Sequence, residues 1–212
     1  AFDINVNGTL NLINLANKNK IKKFIFASTE WVYGNYTKKN NQDESLFIDI
    51  EKLDSLYAIT KAISEKNLNS TNNDFKKIIL RFGIIYGDRK NNLSALESLF
   101  IKCKNENSLS VGSLKTSRRF IHIKDIVSGI IKSIDYKNSG IFNLAGEKDI
   151  TLKNIINSSK KILKTKIKIE ETDSKNPSIR KPSSEKIKKQ MNWRQRVNLN
   201  EGLKSLKNFL EY

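Results

Sequence analysis

Two apolar runs constrain this chain more than any other feature: FIFA at 24–27, within KKFIFAS, and FKKIILRFGIIYG at 75–87. A strand that is apolar on consecutive residues, instead of alternate ones, has to be covered on both faces, as in the interior of a parallel sheet. Each run follows a segment of helical periodicity. INVNGTLNLINLANKNK places Val6, Leu10 and Ile13 on one side, so an amphipathic helix is predicted over 4–17. SLYAITKAISEKNLNS, at 55–70, predicts a second helix between the two runs, after a polar loop at 35–52. Helix, strand, helix, strand means an α/β fold built on a parallel sheet.

Beyond residue 88 the predicted elements are shorter. Helices are expected at 93–104, 151–163 (with Thr151 as N-cap) and 200–211, and strands at 108–112, 140–146 and 166–171. RRFIHIKDIVSGIIKSI, 118–134, passes from strand to helix. SKNPSIRKPSSEKIKKQM, 174–191, holds both prolines of the chain and reads as a loop entering a helix.

Composition narrows the function classes. Cys103 is the one cysteine, which excludes an intrachain disulfide and points to a reducing, cytoplasmic setting; within SLFIKCK it reads as a packed helix thiol. The 39 Lys plus Arg against 22 Asp plus Glu give a net charge of +17. These cations are spread along a chain rich in Lys, Asn and Ile. That distribution argues against a nucleic-acid partner and suits phosphorylated small molecules better. No apolar run reaches the roughly 18 residues of a membrane span, and no signal-peptide pattern is present. The first residue is not Met and lies in mid-helix, so an N-terminal part of a longer protein is expected to be missing.

Ligands of open α/β sheets bind beyond the carboxyl ends of the strands. FIFASTEWVYGN, 24–35, ends its strand there on Ser28, Thr29 and Glu30. Tyr57 and Lys61 stand four apart on the following helix, within side-chain reach of each other. An ammonium beside a phenol stabilises the phenolate, which suits a phenol to general-base work near neutral pH.

Taken in order, these stretches resemble the extended short-chain dehydrogenase/reductase family in its nucleotide-sugar epimerase/dehydratase branch. NVNGTLNLINLA looks like the helix before the catalytic strand, and FIFASTEWVYG like that strand with its S-[ST]-x-x-V-Y-G ending. YAITKAISE is similar to the Y-x-x-x-K helix and LRFGIIYGDR to the strand after it. RRFIHIKDIV resembles the R-x-[FY]-x-H-V-x-D element, while GIFNLAG and RKPSSEKIKKQMNW resemble the closing segments.

The resemblance implies a Rossmann-type, doubly wound parallel sheet, here incomplete, with a small C-terminal α/β substrate-binding domain. Residues 1–88 would be the C-terminal half of the NAD-binding domain. Residues 89–212 would be mainly the substrate domain, with segments around 116–135 returning to the Rossmann core. Tyr57 would be the catalytic acid/base, Lys61 would hold the nicotinamide ribose, and Thr29 would meet the sugar hydroxyl being oxidised. Ala27, Ser28, Phe82 and Gly83 would line the nicotinamide of NAD, with NADP as the alternative. Arg118, and not Arg119, would bind the diphosphate of a nucleotide-diphosphate sugar, with Arg180 as a second clamp. His122 would be a packed, hydrogen-bonded ring, and Asp125 its partner or a helix cap. Trp31 and Tyr33 would border the sugar pocket or pack beneath the loop. No metal is implied. The implied activity is that of an NAD-dependent epimerase of the UDP-glucose 4-epimerase type, dimeric through a bundle that includes the Tyr57 helix.

Three departures bear on this. The glycine-rich G-x-x-G-x-x-G turn for the cofactor pyrophosphate occurs nowhere in these residues. Its absence would leave a sheet edge and apolar faces uncovered, and the isolated segment is expected to bind NAD weakly and not to turn over. The 4,6-dehydratases of the family carry Asp-Glu after the catalytic Thr, whereas Glu30 and Trp31 stand here. That disfavours elimination and leaves Glu30 to read as a surface residue or one behind the sugar contacts. Ile84 replaces the Asn of R-Y-F-N found in many epimerases, which keeps a reductase or decarboxylase open. From a different class, a non-catalytic binding or scaffold protein on the same fold is the other reading.

Overall fold

The computed structural model describes residues 1–34, 41–70 and 74–211, so 35–40 of the polar loop expected at 35–52 lie outside the described residues. In chain order the strands are β1 (Lys23–Thr29), β2 (Lys76–Phe82), β3 (Ile85–Tyr86), β4 (Ser108–Val111), β5 (Ser117–Arg118), β6 (Ile121–His122), β7 (Gly140–Leu144), β8 (Ile150–Thr151) and β9 (Lys168–Glu171). The α-helices are α1 (Gly8–Lys18), α2 (Leu56–Ser70), α3 (Ala95–Asn105), α4 (Ile123–Asp135), α5 (Leu152–Leu163), α6 (Glu185–Met191) and α7 (Leu199–Leu210). A π-helical turn, Asp3–Asn7, leads into α1.

The central sheet is parallel, in the order β1-β2-β7. Its strands are apolar on both sides because both sides are covered. Phe26 and Ile79 pack with Ile13, Ala16 and Leu68 of α1 and α2. On the opposite face Ile78, Leu80, Phe142 and Leu144 pack with Ile126 of α4, Ile187 and Met191 of α6, and Trp193. Burying a side chain of this size stabilises by about 1.5–3 kcal/mol. The expected α/β class and parallel sheet are therefore present.

A second core gathers α3, α5 and α7 around Leu96, Phe100, Ile155 and Leu203, beside the parallel pair β4–β9. Cys103 is buried there as a free thiol. Thr151 does cap α5: its Oγ1 accepts from Asn154 N at 3.0 Å while Asn154 Oδ1 accepts from Thr151 N at 2.9 Å. Such reciprocal caps are worth about 1 kcal/mol.

One expectation needs correction. The strand expected over 75–87 breaks after Phe82. Gly83 donates its N–H to Leu144 O, and a Cβ there would lie 2.8 Å from both Ala145 Cβ and Arg119 O. The chain turns at this tight crossing, and Ile85–Tyr86 pair instead with β6. β7 is the third strand of the central sheet and α6 packs on it, while Tyr86 belongs to the second core.

β1 has a strand neighbour on one side only, among the described residues. Near it α1 exposes Leu12 and Leu15, and α4 exposes Ile123, Val127, Ile131 and Ile134 along one stripe. An open edge flanked by apolar helix faces is a surface built to be covered. No helix among the described residues is long and apolar enough to cross a membrane.

Candidate active site

The carboxyl ends of the central strands lie level: Thr29 pairs with Phe82, and Phe82 with Leu144. After Thr29 the chain enters a 3-10 turn, Glu30–Tyr33, which Thr29 caps by accepting from Trp31 N at 3.3 Å. Gly34 closes that turn at φ 65°, where a Cβ would meet Lys52 O at 2.8 Å. The glycine of VYG is thus required by backbone conformation and by space.

Helix α2 carries Tyr57, Lys61 and Glu65 at four-residue intervals on one side. Lys61 Nζ lies 6.0 Å from the Tyr57 ring centroid and 5.0 Å from that of Phe26, and donates to Ala27 O at 3.0 Å. Burial holds the Lys61 ammonium below its usual pKa. Tyr57 is 44% exposed and opens to solvent beside the strand end. The structure therefore brings Tyr57, Lys61 and Ala27 together. It does not link Thr29 to Tyr57 by a hydrogen bond among the described residues; the Thr29 side chain is buried and serves the turn.

Ser28 faces the other way from Thr29, as strand alternation requires. Its hydroxyl donates to Glu65, whose carboxylate receives the Arg81 guanidinium at 2.6, 3.0 and 3.2 Å. Arg81 Nη1 also donates to Tyr33 Oη at 3.0 Å, and that hydroxyl donates to Asn143 Oδ1 at 2.8 Å. Burial pushes the Tyr33 phenol up to about 12. The Ser28 hydroxyl is thus committed to the interior, and Tyr33 is held between Arg81 and Asn143. Gly83 is buried and Phe82 half-buried at the neighbouring strand end.

Arg118 and Arg180 converge on one place. Arg118 Nη1 donates to Ser117 O and Ser178 O at 2.8 and 2.6 Å, and Nη2 to Ser178 Oγ at 3.0 Å. The Arg180 guanidinium lies 4.1 Å from the Trp31 ring centroid, and its Nε donates to Gly34 O at 3.4 Å. Burial works against the charge on both arginines. Their mutual repulsion adds to this at Arg118, while Glu30 favours the charge on each. Glu30 is not a surface residue. It is 1% exposed, and among the described residues neither carboxylate oxygen accepts a hydrogen bond. Burial pushes its carboxyl up to about 7 against the pull of Arg118 and then Arg180.

The remaining polar candidates are structural. His122 is buried, its Nδ1 accepting from Lys124 N at 3.3 Å at the start of α4 and its ring edge-on to Tyr86. Asp125 is neither its partner nor a cap. Its carboxylate receives Arg196 N at 2.9 Å and Val197 N at 3.0 Å, fixing the chain before α7. Arg119 pairs with Asp149 at 3.0 Å and donates to Asn41 Oδ1 and Pro182 O. A cavity of about 560 Å³ between the starts of α5 and α7, lined by Glu147, Asp149, Asn154, Arg196 and Asn198, contains none of the expected site residues. No cluster of metal-ligating side chains occurs among the described residues.

For a nicotinamide dinucleotide the donor set fits at one end. Tyr57 is open to solvent and the Lys61 ammonium stands beside it at the strand end, a pairing that suits a ribose. The pyrophosphate end has no glycine-rich turn in the sequence.

Sequence reasoning missed Glu65, Arg81 and Asn143 and left Glu30 between the surface and a place behind the sugar contacts. Two signals were available. Arg81 is a charge among the apolar residues 78–82 of β2, which demands a buried partner, and Glu65 continues the Tyr57–Lys61 spacing by one more turn.

The model of the NAD dependent epimerase/dehydratase family matches residues 1–145. A UDP-N-acetyl-alpha-D-glucosaminuronate decarboxylase of Bacillus cytotoxicus is 29% identical over 218 residues, covering 96% of this chain and 68% of the relative. A UDP-glucuronate 4-epimerase of Thermodesulfobacterium geofontis is 28% identical over 216 residues, covering 98% and 65% respectively. The crystal structure of a UDP-glucose 4-epimerase from Thermotoga maritima with UDP-glucose superposes with a TM-score of 0.87 at 21% identity, covering 99% of this chain and 70% of that one. That likeness establishes the Rossmann-type fold.

Proposed function

Because this chain belongs to the NAD-dependent epimerase/dehydratase family, we propose that the protein carrying it is an NAD-dependent nucleotide-sugar epimerase of the UDP-glucose 4-epimerase type. The observation that carries the reading is the placement of Tyr57 over Lys61 at the carboxyl end of β1, with Lys61 Nζ held 3.0 Å from Ala27 O. Bound NAD supplies reversible hydride acceptance at a sugar carbon. In this reading the Tyr57 phenolate accepts the sugar hydroxyl proton as the ketone forms, and returns it to the same oxygen once the ring has presented its opposite face to the cofactor. Lys61 stabilises that phenolate and holds the nicotinamide ribose. Thr29 Oγ1 positions the sugar hydroxyl once its bond to Trp31 N is relaxed. The backbone of Ala27 and Ser28, with Phe82 and Gly83, lines the nicotinamide. Arg118 and Arg180 hold the diphosphate of the nucleotide sugar through charge-assisted hydrogen bonds.

Residues 1–88 then serve the cofactor and 89–212 mainly the substrate, with β7 and α6 completing the cofactor-side sheet. The exposed Leu12 and Leu15 of α1 and Leu56 of α2 support homodimerisation through these helices. The lone buried thiol of Cys103 suits a cytoplasmic setting. A decarboxylase or reductase of similar substrates is the second reading. It is favoured by Ile84, half-buried where many epimerases keep an Asn, and by the decarboxylase relative. Incubation of the full-length protein and NAD with UDP-glucose, UDP-N-acetylglucosamine and UDP-glucuronate separates the two. A C4 epimer is the expected product, and loss of carbon dioxide from the uronate alone would select the second reading. No conversion of any sugar, together with no NAD binding, would favour a scaffold protein.

A further inference from the structure

Glu30 is a buried ionisable group at the arginine pair that the proposed chemistry does not use. Its carboxylate is buried, accepts no hydrogen bond among the described residues, and feels both Arg118 and Arg180. It follows Thr29 directly and precedes Trp31, on whose ring Arg180 lies. The charged groups that bear on this place come from three segments: Arg118 from β5, Arg180 from the 174–184 loop, and Asp54, which acts on Arg180, from the segment before α2. Glu30 is an internal counter-charge for two arginines, one bonded to Ser178 and the other stacked on the Trp31 face.

A diphosphate on Arg118 and Arg180 would bring two negative charges to a site that already holds one buried carboxylate. Like charges in a water-poor site favour the neutral acid. We propose that Glu30 takes up a proton from solvent when a nucleoside-diphosphate sugar binds, so that the arginine pair exchanges its internal counter-charge for the ligand's diphosphate. The protonated carboxyl gains a donor and can donate to a phosphate oxygen, which an ionised Glu30 cannot do. Burial has already brought the carboxyl of the free chain to about 7, so the uptake falls in the neutral range.

This inference rests on the assignment of Arg118 and Arg180 to the diphosphate. The test is calorimetric titration of the full-length protein with UDP-glucose, which has no ionisation of its own near neutrality, in buffers of different ionisation enthalpy. Net uptake of about half a proton at pH 7, rising toward one at pH 8 and vanishing near pH 5.5, is expected. Glu30→Gln should bind UDP-glucose with that uptake removed. UDP-glucose binding with no proton uptake, or with the same uptake in Glu30→Gln, would overturn the proposal. No detectable binding of UDP-glucose by the unmodified protein would instead overturn the assignment of the arginine pair. The pH dependence in the unmodified protein is decisive even if the variant folds poorly.

Discussion

Arg81 of β2 and Glu65 of α2 form an ion pair with Nη2 2.6 Å from Oε2, and both side chains are almost wholly buried. The pair ties the helix that carries Tyr57 and Lys61 to the middle of the sheet, one turn beyond Lys61. Removing one partner leaves an uncompensated buried charge. Glu65→Ala is therefore expected to destabilise the fold by about 3–5 kcal/mol, whereas the double replacement Glu65→Leu with Arg81→Met should recover most of that loss. Urea unfolding of the two variants against the unmodified protein measures this, and a single replacement costing less than about 1 kcal/mol would show that the pair does not hold α2.

Gly83→Ala should destabilise by about 1–3 kcal/mol, because the added methyl must displace Ala145 or the Arg119 carbonyl, each 2.8 Å away. Gly112→Ala is the control. A Cβ there meets nothing within 4 Å, so a change within about 0.5 kcal/mol is expected. Equal melting shifts for the two would contradict the tight crossing of β2 over the chain after β7.

Glu30 makes stability fall as pH rises. Its folded-state carboxyl is raised from 4.5 to about 7, so between these values the folded chain binds more protons than the unfolded one. The slope of unfolding free energy against pH from this group is then negative. The loss is complete above pH 7 and amounts to something on the order of 3 kcal/mol. Glu30→Gln should remove this component, so its stability relative to the unmodified protein rises from pH 4.5 to pH 8. A constant difference over that range would place the carboxylate in water.

Arg180→Ala should weaken UDP-glucose binding by about 1.5–3 kcal/mol, the usual worth of a hydrogen bond to a charged group. Arg119→Ala should leave that affinity within a factor of about two by the same reasoning, since Arg119 is engaged with Asp149, Asn41 and Pro182. Titration calorimetry compares them, and the reverse order would exchange the roles of the two arginines.

Much of this fold was legible because its signals are local. Runs apolar on every residue demanded a sheet covered on both faces, and Thr151 announced the start of α5 by its cap. The break at Gly83 was not legible, since it depends on Ala145 and Arg119 crossing there from distant parts of the chain. The site divides in the same way. Tyr57 and Lys61 lie one helical turn apart, so their meeting follows from sequence spacing alone. The fate of Ser28, Asp125 and Glu30 depends on what faces them across the fold: Glu65 for the first, the 196–197 backbone for the second, Arg118 and Arg180 for the third. The sequence left Glu30 either at the surface or behind the sugar contacts, and the choice was made by two distant arginines converging on it.

Single-turnover mixing of the NAD-loaded full-length protein with UDP-glucose, followed by reduced-nicotinamide absorbance, tests the role of Tyr57 most directly. Transient reduction is expected in the unmodified protein. In Tyr57→Phe it should slow by about 10²–10⁴-fold, the worth of a positioned acid/base group, with NAD still bound. Reduction at the same rate in Tyr57→Phe would contradict the assignment of Tyr57 as the group that moves the proton.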